Sequence, residues 1–228
     1  MYRIEITDRA RRVREFWVPR GSVLRTRAQS FGQGIRSGGD RMARKRCRRF
    51  DEPGHAHELT FSCYRRLPLL SRDRTRGWLV EAIDAARVSE RFDLWAYVIM
   101  PEHVHILIRP REPGYEVSRI LWRIKRPMGR RAVAYLRVHS PSFLAKLTVA
   151  RGDGTRESRF WQAGGGYDRN IVEPTTSRKV IDYIHLNPVR RGLVEYPEDW
   201  AWSSAGWYAG LRPVPLEIDS TLPQVFDV

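Results

Sequence analysis

Two strand-length apolar runs, residues 93–100 and 103–109, are separated only by Pro101 and Glu102. That spacing limits the fold more than any other feature of the chain. It reads as a tight β-hairpin, with the proline confined to the turn, where it removes no ladder hydrogen bond. Residues 57–64 (HELTFSCY) alternate well enough for a further strand, with Leu59, Phe61 and Cys63 on one face. Between it and the hairpin, residues 71–90 carry Trp78, Leu79, Ala82, Ile83 and Ala86 at helical spacing. After the hairpin, residues 115–138 present Val117, Ile120, Leu121, Ile124, Met128, Ala132 and Leu136 on one side, with Pro127 expected to kink or split the helix. Residues 139–158 read as a polar, glycine-containing connection, and 159–171 as an extended segment broken by glycines. Thr175 or Thr176 can cap a third helix that runs to about Leu186 and stops at Pro188. This order predicts an α+β fold with helices on one face of an antiparallel sheet.

The length of 228 residues suits one domain with extensions. The domain is placed at 51–210, after a basic N-terminal extension (1–50) and before a Pro-rich, loop-like C-terminal tail (211–228). No apolar run approaches the roughly 18 residues of a membrane span. The Arg-rich N-terminus lacks the apolar stretch of a secretory signal, and two cysteines make neither a disulfide framework nor a four-ligand zinc site. A cytoplasmic protein with a polyanionic partner is the expectation. The net charge of +15 points to nucleic acid. Of the 41 basic residues 37 are Arg, which suits phosphate recognition and GC-rich coding equally. Residues 1–50 hold 15 basic and 4 acidic residues, so the remainder is only modestly basic. Met42 is a candidate alternative start, which would remove much of that charge.

Chemistry concentrates at His103-Val104-His105. Alternation along a strand puts His103, His105 and Leu107 on one face and Val104, Ile106 and Ile108 on the other. Two imidazoles so placed can converge on one metal ion, although a pair of histidines also arises by chance. A second pair, His55 and His57, reads as solvent-facing at the start of its strand. In the third helix Tyr183 and Asn187 are four apart and share a face. A hydroxyl nucleophile beside an oxygen-donating ligand fits them, as do a core tyrosine and a helix-ending asparagine.

Four blocks occur in order: PEHVHILI at 101–108, RFWQ…YDRNI at 159–171, DYIHLNPVRRGLV at 182–194 and PEDWAWSS at 197–204. Together they resemble the HUH single-tyrosine transposases, and most closely the REP-associated tyrosine transposases, over about residues 50–208. The resemblance implies a ferredoxin-like (RRM-like) sheet with the HUH motif on a central strand. It further implies His103, His105 and Asn187 as ligands of a divalent ion, Mg²⁺ or Mn²⁺, and Tyr183 as the nucleophile. The implied activity is cleavage and rejoining of hairpin-containing single-stranded DNA through a 5′-phosphotyrosine, by a monomer or homodimer. Pro127, the long connection at 139–158 and Gly164–Gly166 depart from the family pattern.

A phenol is mostly protonated at neutral pH, so such a nucleophile needs a proton acceptor. Glu102, Asp182 and His185 are possible acceptors, and none is assigned. Tyr167 is the second candidate nucleophile. Arg119, Arg123, Arg126 and Arg130, spaced 4, 3 and 4, form a stripe in a stretch (117–152) with nine basic and no acidic residues, and a phosphate backbone suits it. Trp200 and Trp202 can stack on bases or pack the C-terminal segment. Two other readings stay open: a non-catalytic RRM-like nucleic-acid-binding module, and a metal nuclease that uses water and leaves no adduct.

Overall fold

The computed structural model describes residues 51–223, and the expected N-terminal extension with its Met42 start lies outside them. Strand β1 (Ala56–Ser62) leads through a single 3₁₀ turn, Tyr64–Arg66, to helix α1 (Asp73–Glu90). The hairpin follows as β2 (Phe92–Ile99) and β3 (His103–Pro110), closed by the Met100 amide donating to the His103 carbonyl at 2.9 Å. Helix α2 (Val117–His139), helix α3 (Pro141–Lys146), strands β4 (Thr148–Ala150), β5 (Arg156–Ser158) and β6 (Tyr167–Ile171), helix α4 (Pro174–His185) and short helices α5 (Asn187–Arg190) and α6 (Ala205–Tyr208) complete it.

The main sheet has the order β2-β3-β1-β6, with antiparallel pairing throughout. Strand β3 is paired on both sides, and Thr60 stands opposite His105 in the register with β1. All eight residues of β2 are buried, because both faces of the sheet are covered. On one face Leu59, Phe61, Val104, Ile106 and Ile108 pack with Leu79 and Ile83 of α1 and Ile120 and Ile124 of α2. On the other, Val180, Ile181 and Ile184 of α4 pack with Trp95, Val98 and Leu107. A register shift between Leu94 and Ala96 lets Trp95 join the α4 face.

The expectation of helices on one face is therefore corrected: α4 lies opposite α1 and α2. The reason is in the strand parity. Leu107 shares its face with His103 and His105, and the apolar side of α4 buries that leucine. A one-sided arrangement would have put Tyr183 across the sheet from the histidines.

Four other expectations also change. Of the expected kink or split at Pro127, the split does not occur: α2 is one continuous helix. Pro127 and Arg123, whose carbonyl loses its amide partner there, are both exposed. The connection at 139–158 is ordered as α3 and the β4–β5 hairpin. In its turn the Asp153 carboxylate accepts from the Thr155 amide and hydroxyl, and Gly154 takes φ +79°. Helix α4 starts at Pro174 with Glu173 in the cap position, two residues before Thr175 and three before Thr176. The C-terminal tail is docked: Leu216 and Ile218 enter the α1–α2 core, and the Asp219 amide donates to the Leu94 carbonyl. No described helix is long and apolar enough to cross a membrane.

Candidate active site

His103, His105, Tyr183 and Asn187 line one cavity of about 830 Å³ between β1, β3 and α4. The imidazoles come from alternate positions of β3, with ring centroids 4.8 Å apart. Tyr183 projects from α4, and its ring meets His105 edge-on at 5.6 Å. It is 41 % exposed, and the Arg190 guanidinium lies 5.1 Å from its ring centre. Helical turns continue from α4 into α5 through Leu186, so Pro188 does not carry Asn187 away from the helix. The Asn187 amide nitrogen donates to the Tyr183 carbonyl at 2.8 Å and the Ile184 carbonyl at 3.4 Å. Those bonds identify the nitrogen and leave the oxygen as the side chain's acceptor.

Both histidines are held from behind. His103 Nδ1 lies 3.2 Å from Glu102 Oε1, and His105 Nδ1 lies 2.8 Å from Thr60 Oγ1. Burial works to raise the Glu102 carboxyl, but the Arg191 guanidinium bonded to it at 2.5 Å and the adjacent His103 outweigh burial and hold it below the usual range. An ionised Glu102 accepts a hydrogen bond from His103 Nδ1–H, and Thr60 can accept from His105 Nδ1–H in the same way, leaving Nε2 unprotonated on each ring. Burial lowers His103 despite Glu102; it brings His105 down to about 3, with His103 and Arg66 adding to the effect. The rings are thus neutral, as metal ligation requires. Among the described residues no group of three His, Cys, Asp or Glu side chains converges as a metal site. The donors that could be offered to a divalent ion on this wall are the two imidazoles and the Asn187 amide oxygen.

The cavity also contains groups that the motifs did not single out. Glu58 and Thr60 face it from β1, and Arg66, Arg169, Lys179 and Arg191 give it a basic wall. Burial raises the Glu58 carboxyl above its usual value although Arg169 stands 3.7 Å away. Arg65 and Arg66 both have left-handed backbones (φ 52° and 53°), a strained state for non-glycine residues that recurs at functional sites. Alternation in β1 was the available signal for Glu58 and Thr60. Nothing local marks the arginines, which arrive from separate elements: Arg66 from the 3₁₀ turn, Arg169 from β6 and Arg191 from the end of α5.

The other candidates are dispersed. Tyr167, on β6, is the exception: it is half-exposed and lines the same cavity. His185 points away, buried with Nε2 2.7 Å from Ser204 Oγ and brought down to about 4 by burial. Burial raises Asp182 with Arg178 opposing, but Asp182 does not line the cavity. His57 is fully buried, contrary to the solvent-facing expectation, with Asp168 2.9 Å from Nδ1 and the Tyr115 hydroxyl 2.7 Å from Nε2. It shares the strand parity of Leu59, which explains its burial. Trp200 and Trp202 staple the C-terminal segment: their indole N–H groups donate to the Ile99 carbonyl and the Asp73 carboxylate.

The arginine stripe lies on α2, across the sheet from the cavity, and half of it is neutralised. Arg119 and Arg123 both donate to Glu90 of α1, at 2.5 and 3.1 Å, whereas among the described residues Arg126 and Arg130 have no carboxylate partner. The reading of four unopposed cations is corrected accordingly. The stretch 117–152 lacks acids in sequence, but α1 supplies one in space.

No family model matches the chain. A protein of Haemophilus influenzae named for the REP-associated tyrosine transposases is 27 % identical over 144 residues, 60 % of this chain and 76 % of that protein. The REP-associated tyrosine transposase of Escherichia coli K12 is 25 % identical over 126 residues, 55 % of this chain and 62 % of that protein. A solved structure of a REP-associated tyrosine transposase bound to a REP hairpin superposes with a TM-score of 0.55 at 23 % identity, covering 80 % of this chain and 99 % of that one. The chain is similar to the REP-associated tyrosine transposases in sequence, and its mixed helix and antiparallel-sheet fold matches theirs.

Proposed function

We propose that this relative of the REP-associated tyrosine transposases cleaves and rejoins hairpin-containing single-stranded DNA, with Tyr183 as the covalent nucleophile. The observation that carries the reading is the meeting of Tyr183 with His103, His105 and Asn187 in one basic cavity. The β-α-β-β-α-β sequence with strand order β2-β3-β1-β6 supports a ferredoxin-like sheet with the HUH pair on an interior strand.

The Tyr183 hydroxyl attacks a backbone phosphorus. One P–O bond forms to the phenol oxygen as the bond to the 3′ oxygen breaks, giving a 5′-phosphotyrosine and a 3′-hydroxyl. The phenol gives up a proton and the leaving oxygen gains one. Among the described residues that line the cavity Glu58 is the carboxylate, and its raised pKa suits it to exchange that proton. One ester bond replaces another, so the 3′-hydroxyl of the same or another strand can reverse the step without ATP. His103, His105 and Asn187 would hold a Mg²⁺ or Mn²⁺ ion, which when bound supplies charge neutralisation on the phosphate oxygens. Arg66, Lys179 and Arg191 hold the backbone at the reacting phosphate.

Incubation of the full chain with hairpin DNA and Mn²⁺ should yield an SDS-stable protein–DNA adduct that maps to Tyr183 and is lost in Tyr183→Phe. Cleavage without an adduct would instead indicate hydrolysis by water. An adduct that survives in Tyr183→Phe and disappears in Tyr167→Phe would transfer the role to Tyr167.

A further inference from the structure

A second cavity lies on the opposite face of the sheet. It holds about 390 Å³ between α2 and the loop before β6, and Trp122, Lys125, Arg126, Trp161, Gly164 and Gly165 are on its wall. Trp122 is 49 % exposed although its helix neighbours Leu121 and Ile124 are in the core. The Arg126 guanidinium lies 4.7 Å from the Trp122 ring centre and that of Arg123 lies 5.5 Å away. No carboxylate is among the described residues lining the cavity. Arg123 is paired with Glu90, so Arg126 supplies the guanidinium charge here, and an accessible indole beside it combines a stacking surface with the charge that a polynucleotide backbone needs.

Residues of the glycine loop and its next neighbour reach both cavities. Gly164 and Gly165 border the second cavity, and Tyr167 borders the first. The loop is tied on both sides: the Lys125 ammonium donates to the Gly164 carbonyl at 2.9 Å, and the Gln162 amide to the Ser62 carbonyl at 2.9 Å. Gly166 sits so close to β1 that a Cβ there would lie 2.0 Å from the Thr60 carbonyl oxygen. The result is a low saddle over the edge of the sheet.

The geometry points to the Trp122 cleft as a binding site for an unpaired nucleobase of the same DNA strand, stacked on the indole, while the strand crosses the Gly164–Gly166 saddle to the Tyr183 cavity. This assignment rests on the proposed DNA-processing function and adds a second point of contact to it. The charge of the lining favours nucleic acid over an apolar protein segment. The narrow stacking surface favours a single-stranded base over a duplex, whose bases are already stacked.

The test uses the full chain in EDTA with two DNA probes. One is a blunt hairpin. The other is the same hairpin with an unpaired oligothymidine extension carrying one 2-aminopurine, built on the 5′ end and separately on the 3′ end. Wild type should bind an extended hairpin more tightly than the blunt one and quench the 2-aminopurine. Trp122→Ala should lose roughly tenfold in affinity for the extended probe, with the quench abolished and blunt-hairpin affinity unchanged. Trp122→Phe should recover most of the loss.

Unchanged affinity of Trp122→Ala for both extended probes, with its Tyr183 adduct in Mn²⁺ intact, would overturn the cleft and leave the catalytic proposal standing. Equal losses on blunt and extended hairpins at an unchanged melting temperature would assign the cleft to duplex and overturn it too. So would a Trp122→Ala variant that only changes oligomeric state. A wild-type protein that binds neither hairpin in EDTA and forms no adduct in Mn²⁺ would sink both proposals together.

Discussion

Gly166 shows how closely one residue can be specified by its neighbours. Its φ is +78°, and the Thr60 carbonyl occupies the place of a side chain. Gly166→Ala must move the loop or β1, so the unfolding free energy in urea should fall by on the order of 2 kcal/mol or more. Gly164 has φ +96° but open space around its Cβ position, so Gly164→Ala carries backbone strain alone and should cost less. Cys63 is the opposite case, a side chain enclosed by the fold. Burial pushes its thiol up to about 12, so in a Cys47→Ser background it should resist alkylation at pH 8 until the protein unfolds. The alternation in β1 already put Cys63 with Leu59 and Phe61. The same rule applied two residues earlier would have buried His57, but the ragged strand start suggested solvent. Tyr115, which covers His57 from 58 positions away, could not be anticipated from local pattern.

At the scale of elements, helix α2 divides its arginines between two tasks. Arg119 and Arg123 join α2 to α1 through Glu90, whose side chain is only 4 % exposed. Replacing both with Ala leaves that carboxylate buried without its cations, so the thermal unfolding midpoint should drop. Arg126→Ala with Arg130→Ala should leave the midpoint in place and weaken hairpin binding. The slope of log affinity against log salt should then shrink by about two if both side chains meet phosphate. An unchanged slope would remove the stripe from the DNA interface. Charge along the chain was readable here, but its neutralisation across a helix pair was not. The hairpin, both long helices and the parity of His103 and His105 were legible because each follows from a local period. The β4–β5 hairpin had a usable signal in Asp153-Gly154, which the prevailing polarity of the connection obscured.

Across the whole molecule, the part of the chain that reads as a tail is structural. Asp219 attaches to β2 at Leu94, and Leu216 and Ile218 fill the core beneath α1. Truncation after residue 210 should therefore give an insoluble or molten product, and Leu216→Ala in the full chain should cost about 2–4 kcal/mol in chemical denaturation. Proline content suggested a loop and concealed the apolar pair, since Leu216 and Ile218 make sense only against a partner far away in sequence. The placement of α4 follows the same logic. Its apolar face was visible, but which side of the sheet it covers depends on Leu107, about 75 positions earlier. The glycine saddle, tied to α2 by Lys125 and to β1 through Gln162 and Gly166, bears on how ordering is shared when DNA docks. A rim already fixed loses little conformational freedom on docking, so the entropic cost falls on the polynucleotide, and a strand bent in advance to the curve of the sheet edge should associate faster than a straight one of equal sequence.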